Sequence, residues 1–210
     1  MLFRSIQVLG RRVIGGASPA TARLLAEHQS APLQELITPL LKLSNNNMSE
    51  ALLKAMGRKT ANAGTAQAGV AAVAAFMQRQ GLDPASLNQV DGSGLSRRNL
   101  VSAQTLTDLL LATSKQPWFE AWYNALPIAG NPERISGGSL RYRLRGTPAQ
   151  NNLHAKTGSM GGVSSLSGYI TDARGRRLVF SMISNNYLSD AAPIRALENR
   201  LAVALTQWHD

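Results

Sequence analysis

Helix-like patterns come first in this chain and strand-like patterns come later, and this order constrains its fold most. Between residues 31 and 125, apolar residues recur at every third or fourth position, which predicts a series of amphipathic helices. After about residue 150, three segments have the composition of strands: 152–157, 163–171 and 177–184. A helix is predicted again over residues 190–207. This order indicates an α+β fold, in which a helical subdomain accompanies a partial antiparallel sheet flanked by helices.

The same patterns divide the 210 residues into three parts. Residues 1–30 are predicted to be a lead-in of strand and loop that belongs to the sheet. Residues 31–135 are predicted to be the helical subdomain, whose second helix ends at Gly57, since glycine commonly follows a helix. Residues 136–210 are predicted to hold the antiparallel sheet and the closing helix, with a hairpin turn at residues 172–175.

The composition excludes several kinds of site. The chain has no Cys, which excludes a disulfide framework, a thiolate nucleophile and an iron–sulfur cluster. Its three separated histidines, His28, His154 and His209, leave little for a zinc site, and we predict neither a metal nor a cofactor. With 22 Lys and Arg against 12 Asp and Glu, the formal net charge of +10 indicates an anionic partner.

The first residues carry no recognisable export signal. Arg4 interrupts the apolar residues there, and no stretch of about 20 apolar residues occurs in the chain. We therefore predict no signal peptide in this chain and no membrane span. Alternation over positions 3–9 predicts a strand, and a chain that starts within a strand is expected to be part of a longer protein.

Two short polar motifs are candidates for a site. In the first, Lys156, Thr157 and Gly158 lie at the end of a predicted strand, just before Ser159 and a Gly-Gly turn. The lysine would supply a positive charge, the two hydroxyls would hold a carboxylate, and the glycine would let a peptide approach the strand edge. The ordinary alternative is an exposed lysine before a turn.

The second motif, Ser44-Asn45-Asn46, lies between the first two predicted helices. Serine and asparagine are common helix caps, which gives a purely structural explanation. In the catalytic alternative, Ser44 relays a proton and Asn46 donates a hydrogen bond to a substrate amide. A motif of this S-x-N type followed by K-T-G is the order found in penicillin-binding proteins and β-lactamases.

Three longer stretches carry a resemblance to one family: residues 31–57, 91–110 and 154–170. They closely resemble the penicillin-binding D-alanyl-D-alanine carboxypeptidase/endopeptidase family, which comprises the class C low-molecular-mass penicillin-binding proteins or S13 peptidases. The resemblance extends from about residue 25 to residue 207. It implies a β-lactamase/transpeptidase-like fold, incomplete here, with the active site in the cleft between the helical subdomain and the sheet.

The resemblance also implies roles for the two motifs. Ser44 and Asn46 match the second family motif and Lys156 opens the third, so these three residues are expected to be catalytic. The residues expected to bind substrate are Thr157, Gly158 and Ser159. The segment from Asp91 to Leu95 matches a family signature, for which we expect a structural role: a capped turn with glycines at positive φ.

The first family motif, S-x-x-K, which holds the acylated serine and its lysine base, is absent. The residues three positions before the five lysines are Pro39, Ala51, Met56, Ala112 and Leu153. The chain is therefore expected to be the C-terminal half of such an enzyme and to be inactive alone. Two alternatives stay open, a non-catalytic module that binds stem peptides of peptidoglycan and a degenerate structural remnant.

The resemblance implies the partners and the location as well. They are a peptidoglycan stem peptide ending in D-Ala-D-Ala, β-lactams in the complete enzyme, and a periplasmic or other extracytoplasmic site of action. No acid lies between Glu133 and Asp172, whereas five cations do: Arg134, Arg141, Arg143, Arg145 and Lys156. Such a field would attract a peptide carboxylate, and the alternative is a solvated helix face. Nucleic acid is not expected, because the chain has few aromatics and no recognised binding motif.

Overall fold

The computed structural model of the chain describes residues 20–209. The strand predicted over positions 3–9 lies outside these residues. Residues 20–31 are exposed and form no helix or strand, and the chain from Pro32 onward forms a separate unit. The division of the chain into three parts stays a prediction.

Helices dominate the first part of the unit, as the apolar periodicity predicts. Within residues 20–209 the α-helices are α1 (Leu33–Leu43), α2 (Asn46–Ala61), α3 (Ala66–Arg79), α4 (Ala103–Thr113), α5 (Phe119–Ala125), α6 (Arg134–Gly137) and α7 (Ala191–Thr206). Four of them begin after a side chain that accepts a hydrogen bond from the first turn, namely Asn45, Thr65, Ser102 and Glu133. None of the described helices is long and apolar enough to cross a membrane.

Strands follow in the second part, and the fold is α+β as predicted. They are β1 (Leu87–Asn88), β2 (Leu100–Val101), β3 (His154–Met160), β4 (Val163–Thr171) and β5 (Arg177–Asn185). The first two form a small separate pair, and the last three form an antiparallel sheet in the order β3-β4-β5. The predicted hairpin joins β4 to β5, where the carboxylate of Asp172 accepts hydrogen bonds from the N–H groups of Arg174 and Arg176.

Helices cover both faces of the three-stranded sheet. On one face α7 packs against β4 and β5, and Leu166, Phe180 and Ala202 are buried together. On the other face α4 packs against the same two strands. There the buried Tyr169 donates a hydrogen bond from its hydroxyl to the carbonyl oxygen of Leu110 at 2.8 Å. Each face of the sheet therefore contributes to an apolar core.

The K-T-G motif lies in the middle of β3, not at the end of a strand. β3 begins two residues later than predicted and continues to Met160, because its pairing with β4 persists to the glycine turn. Thr157 lies opposite the buried Leu166, so it faces α7, and Lys156 lies opposite Ser167 and faces the other layer. The motif thus presents its lysine and its hydroxyls to opposite sides of the sheet.

The prediction that the second helix ends at Gly57 is wrong. α2 continues to Ala61 and ends at Asn62, which has a φ of 55°. Gly57 is buried where α2 packs closely against Gly69 of α3. A Cβ atom at Gly69 would lie 2.1 Å from the carbonyl oxygen of Leu53. Both glycines therefore serve the close packing of two helices, and neither ends a helix.

Substitution of Gly69 by alanine tests this packing. Because the added methyl group would overlap the backbone at Leu53, we expect Gly69→Ala to lower the free energy of unfolding by about 1–3 kcal/mol. Gly64→Ala is the matched control, since no atom lies within 4 Å of a Cβ atom at Gly64. Urea unfolding followed by circular dichroism measures both variants. Equal stability of the two would contradict the packing role of Gly69.

Candidate active site

The two sequence motifs meet where α1 ends beside β3. Ser44 directly follows α1, and Lys156 lies in β3, 112 positions later. The Nζ atom of Lys156 donates one hydrogen bond to Oγ of Ser44 at 2.7 Å and another to the carbonyl oxygen of Thr157, also at 2.7 Å. The structure thus brings together the serine of S-x-N and the lysine of K-T-G, while their catalytic roles stay a prediction.

Asn45 caps the start of α2 with its side chain, whereas Ser44 caps the end of α1 only through its backbone and leaves its hydroxyl for Lys156. The Oδ1 atom of Asn45 accepts a hydrogen bond from the N–H of Met48 at 3.1 Å, which caps α2. Ser44 has a left-handed backbone, with φ 53° and ψ 54°, and its N–H bonds to the carbonyl of Leu40. Such a conformation costs a non-glycine residue on the order of 1–2 kcal/mol, so the surrounding structure must hold it. Asn46 is the first residue of α2 and is exposed.

Burial changes the proton affinity of Lys156. Loss of solvation lowers the pKa of this lysine from 10.5 to about 8, because the charged ammonium is less well hydrated than in water. A lysine with a pKa in this range releases its proton much more readily near neutral pH than an ordinary one does. The pair formed with the Ser44 hydroxyl is therefore suited to proton transfer.

One edge of β3 is open next to this pair. The N–H of Ala155 donates to the carbonyl oxygen of Pro127 at 3.0 Å, which covers the beginning of the strand. Alternate N–H groups point to the same side of a strand, so those of Thr157 and Ser159 also face away from β4. Within residues 20–209 neither of these two groups has a backbone partner on that side. An extended peptide has room to add there as a further strand.

A cavity of about 330 Å³ lies beside the same stretch of β3. The three residues predicted to bind substrate are among those that line it, together with Ser139, Arg143 and Arg195. The Oγ1 atom of Thr157 donates a hydrogen bond to Oγ of Ser139 at 2.8 Å. The sequence does not single out Ser139, because only the fold brings it to the strand. Across residues 20–209, no group of three or more His, Asp or Glu side chains is placed to hold a metal ion.

Lys42 is a buried cation that sequence reasoning also missed. It is only 3% exposed, and its Nζ atom donates hydrogen bonds to the carbonyl oxygens of Leu126 and Ser136. Desolvation lowers the pKa of Lys42 from 10.5 to about 8, and the charge of Glu133 opposes this shift only in part. Lys42 therefore connects the end of α1, where Ser44 lies, to the backbone at Leu126 and Ser136.

The arginines that the sequence clusters near Lys156 do not share one solvated helix face. Arg143 is 15% exposed at its side chain and forms an ion pair with Glu198 at 2.9 Å. The guanidinium carbons of Arg141 and Arg145 lie 4.6 and 4.8 Å from the ring centre of Tyr142. Arg141 and Arg145 thus contact an exposed aromatic ring, whereas Arg143 forms a largely buried ion pair beside the cavity.

Asp91 caps a turn, as expected. Its carboxylate accepts hydrogen bonds from the N–H groups of Gly94 at 2.7 Å and Ser96 at 2.8 Å. Gly94 has a φ of 75°, but Gly92 does not adopt positive φ. A Cβ atom at Gly92 would instead lie 2.5 Å from the carbonyl oxygen of Ser49, so this glycine permits close contact with α2.

Comparison with known proteins identifies the family of this chain. The model of the D-Ala-D-Ala carboxypeptidase 3 (S13) family matches residues 4–208. The chain belongs to this family. It is 43% identical over 205 residues to a D-alanyl-D-alanine carboxypeptidase of Actinomadura sp. (strain R39), a match that covers 97% of this chain and 38% of that protein. It is 35% identical over 177 residues to the carboxypeptidase DacB of Haemophilus influenzae, covering 84% of this chain and 36% of the relative.

Solved structures give the same result for this S13 chain. The crystal structure of penicillin binding protein 4 (dacB) from Haemophilus influenzae matches it with a TM-score of 0.82 at 32% identity, covering 91% of this chain and 43% of that one. A complex of the same protein with a β-lactam matches with a TM-score of 0.81. The predicted family and fold are confirmed, and the chain spans less than half the length of these relatives.

The lowered pKa of Lys156 is directly measurable. We expect the ε-carbon resonances of two lysines, Lys42 and Lys156, to titrate with midpoints near 8, because desolvation disfavours the ammonium form. The resonance that disappears in the Lys156→Gln variant is that of Lys156. Carbon-13 nuclear magnetic resonance over pH 6 to about 11 measures this midpoint. A Lys156 resonance that titrates near the ordinary lysine value, about 10.4, would contradict the buried environment of the site.

Lys42 should make stability depend on pH. Its folded pKa of about 8 lies below the model value of 10.5, so between these pH values the unfolded state binds more protons and stability rises with pH. We therefore expect Lys42→Met to show a smaller rise in the free energy of unfolding than the wild type between about pH 8 and 10. Lys59→Met, at an exposed position of α2, should keep the wild-type rise. Identical slopes in all three proteins would rule out a buried, charged Lys42.

Proposed function

We propose that this chain provides the S-x-N and K-T-G part of the active site of a serine D-Ala-D-Ala carboxypeptidase/endopeptidase of peptidoglycan metabolism. The observation that carries the proposal is the hydrogen bond from Nζ of Lys156 to Oγ of Ser44. The open edge of β3 and the adjacent cavity support it, because a peptidase of this type needs a strand along which its substrate can lie. Membership of the S13 family supports the same function.

The proposed reaction is acyl transfer. A serine of an S-x-x-K motif attacks the carbonyl carbon of the penultimate D-Ala, and the C–N bond to the terminal D-Ala breaks. Lys156 and Ser44 relay a proton to the leaving amine nitrogen. The Lys156 pKa of about 8 suits this step, since the ammonium can give up its proton and be reprotonated near neutral pH. Water then hydrolyses the acyl-enzyme, and a β-lactam would acylate the same serine.

The substrate would lie extended along the open edge of β3. The N–H of Ser159 would donate to the carbonyl oxygen of the scissile bond and form half of an oxyanion hole. The hydroxyls of Thr157 and Ser159 would bind the terminal carboxylate, and Asn46 would donate to a substrate amide. Gly158 leaves no side chain in the way, and a Cβ atom there would lie 2.4 Å from Oγ of Ser165.

The nucleophile is the part that these residues do not provide. No serine or threonine stands three positions before a lysine in the sequence, so we propose that these 210 residues form no acyl-enzyme by themselves. A non-catalytic stem-peptide-binding module is the second candidate, favoured by the open edge and cavity that these residues form alone. Either function acts on peptidoglycan and therefore outside the cytoplasmic membrane.

Two measurements test this proposal. Mass spectrometry after incubation with penicillin should find no covalent adduct on the chain alone, because the serine to be acylated is missing. Joined to the S-x-x-K part of a complete S13 enzyme, the chain should form the adduct and release D-Ala from a peptide ending in D-Ala-D-Ala. A stoichiometric adduct on the chain alone would contradict the proposal. Absence of turnover in the joined protein, with peptide binding retained, would favour the binding module.

Lysine variants of the joined protein test the proton relay. We expect Lys156→Ala to lower kcat/KM for the peptide by about 10²–10⁴-fold, the usual range for loss of a general acid or base. Lys59→Ala is the matched control, since Lys59 is exposed on α2 and takes no part in the site. Full activity of Lys156→Ala would refute the role of this lysine.

A further inference from the structure

The cavity beside β3 has a lining suited to an anion. Arg143 and Arg195 contribute to it, and so do the hydroxyl-bearing residues Ser139, Thr157 and Ser159. Guanidinium groups are always charged donors, and hydroxyls donate readily to a carboxylate. The volume of about 330 Å³ lies at the lower end of ligand sites, which span roughly 300–1,000 Å³. The site therefore fits the end of a peptide better than a large ligand.

One of the two arginines is already paired with an acid. Nη2 of Arg143 lies 2.9 Å from Oε2 of Glu198, and Oδ1 of Asn199 accepts from both Nε and Nη2 of the same arginine. The other carboxylate oxygen of Glu198 accepts a hydrogen bond from Oγ of Ser164 at 2.7 Å. Glu198 is 3% exposed and does not line the cavity. Arg143 and Glu198 thus neutralise each other within the protein.

Arg195 has no such partner. It lies on α7 and is exposed, and across residues 20–209 its guanidinium forms no hydrogen bond or ion pair. Its backbone is held in place, because its carbonyl oxygen accepts a hydrogen bond from Nη2 of Arg143 at 3.4 Å. The one nearby acid, Glu198, is already satisfied. Arg195 therefore supplies an uncompensated positive charge to a cavity of hydroxyl donors.

We propose that Arg195 determines specificity by binding the C-terminal carboxylate of a peptide that lies along β3, together with the hydroxyls of Thr157 and Ser159. This inference rests on the function proposed above and adds a residue outside the K-T-G motif. A guanidinium donates two parallel hydrogen bonds to a carboxylate. A C-terminal amide is neutral and offers it only one acceptor oxygen. Arg195 should therefore favour a free carboxylate over an amide at the same position.

Nitrogen-15 resonance titrations of the chain test this with N-acetyl-D-Ala-D-Ala and its C-terminal amide. The wild type should bind the acid more tightly, with shifts at the N–H groups of Thr157 and Ser159. Arg195→Gln should weaken binding of the acid roughly three- to tenfold and leave the amide unchanged, as expected for one charge-assisted contact in a partly exposed site. Arg200→Gln is the matched control, because Arg200 lies on the same helix but lines a different cavity.

The outcomes separate this inference from the proposed function. If Arg195→Gln keeps the wild-type preference for the acid while both peptides still shift the β3 resonances, the role of Arg195 is overturned and the proposed function stands. If neither peptide shifts these resonances in the wild type, the proposed function fails and the inference fails with it. Arg195→Lys keeps the charge without the planar donor pair, so it should recover part of the preference if the inference is correct.

Discussion

The register of β3 against β4 is the constraint on which the whole site depends. Thr157 faces α7 because it lies opposite the buried Leu166, and Lys156 therefore faces the layer that contains the end of α1. A slip of one residue would exchange the two faces and direct the lysine toward α7. The buried residue of β3 itself opposes such a slip, because the same shift would move Ala155 out of the core that it shares with Leu166. The burial of a hydrophobic core outside the site therefore determines the directions in which Lys156 and Thr157 point.

Neutral hydrogen-bond partners leave desolvation to determine the pKa values of Lys42 and Lys156. Lys156 donates to a hydroxyl and a carbonyl, and Lys42 donates to two carbonyls. A carboxylate in contact with either ammonium would raise its pKa and hold its proton. With only neutral acceptors, desolvation dominates and both pKa values fall to about 8. Because Lys156 forms no ion pair with any acid of residues 20–209, it would suit the proton relay that we propose.

Local sequence patterns predict much of this fold. The features that they do not predict depend on packing between residues far apart in the sequence. The apolar periodicities of the helices and the alternation in the strands depend on neighbouring residues, so the element order and the hairpin at Asp172 were predictable. Glycine is common at helix ends, so the sequence around Gly57 predicts one. The glycine is instead required by the close contact of α2 with α3. Lys42 follows an apolar run, which is a weak signal of burial, yet the carbonyl that it bonds belongs to a residue 84 positions away.

The candidate site residues also fall into two groups, those that a sequence motif predicts and those that only the fold brings together. Ser44 and Lys156 were found because their motifs have a known order, whereas Ser139 and Arg195 belong to no motif and reach the cavity only through the fold. The net charge of the chain cannot replace such residues in choosing a ligand. The net charge of +10 acts over distance, but at physiological salt it is screened within about 8 Å, so it speeds the approach of any anion without selecting among them.

Under the proposed function, selection among anions would occur inside the cavity, where the balance of charge is local. Two arginines line the cavity, and the ion pair of Arg143 with the buried Glu198 behind it leaves a single uncompensated charge. One peptide carboxylate would neutralise that charge, and a neutral peptide end would not. Had Glu198 been absent, two free guanidiniums would have favoured a dianion such as a phosphate over a carboxylate. The buried acid would thus adjust the proposed site to a ligand with one negative charge, which is the charge of a peptide C-terminus.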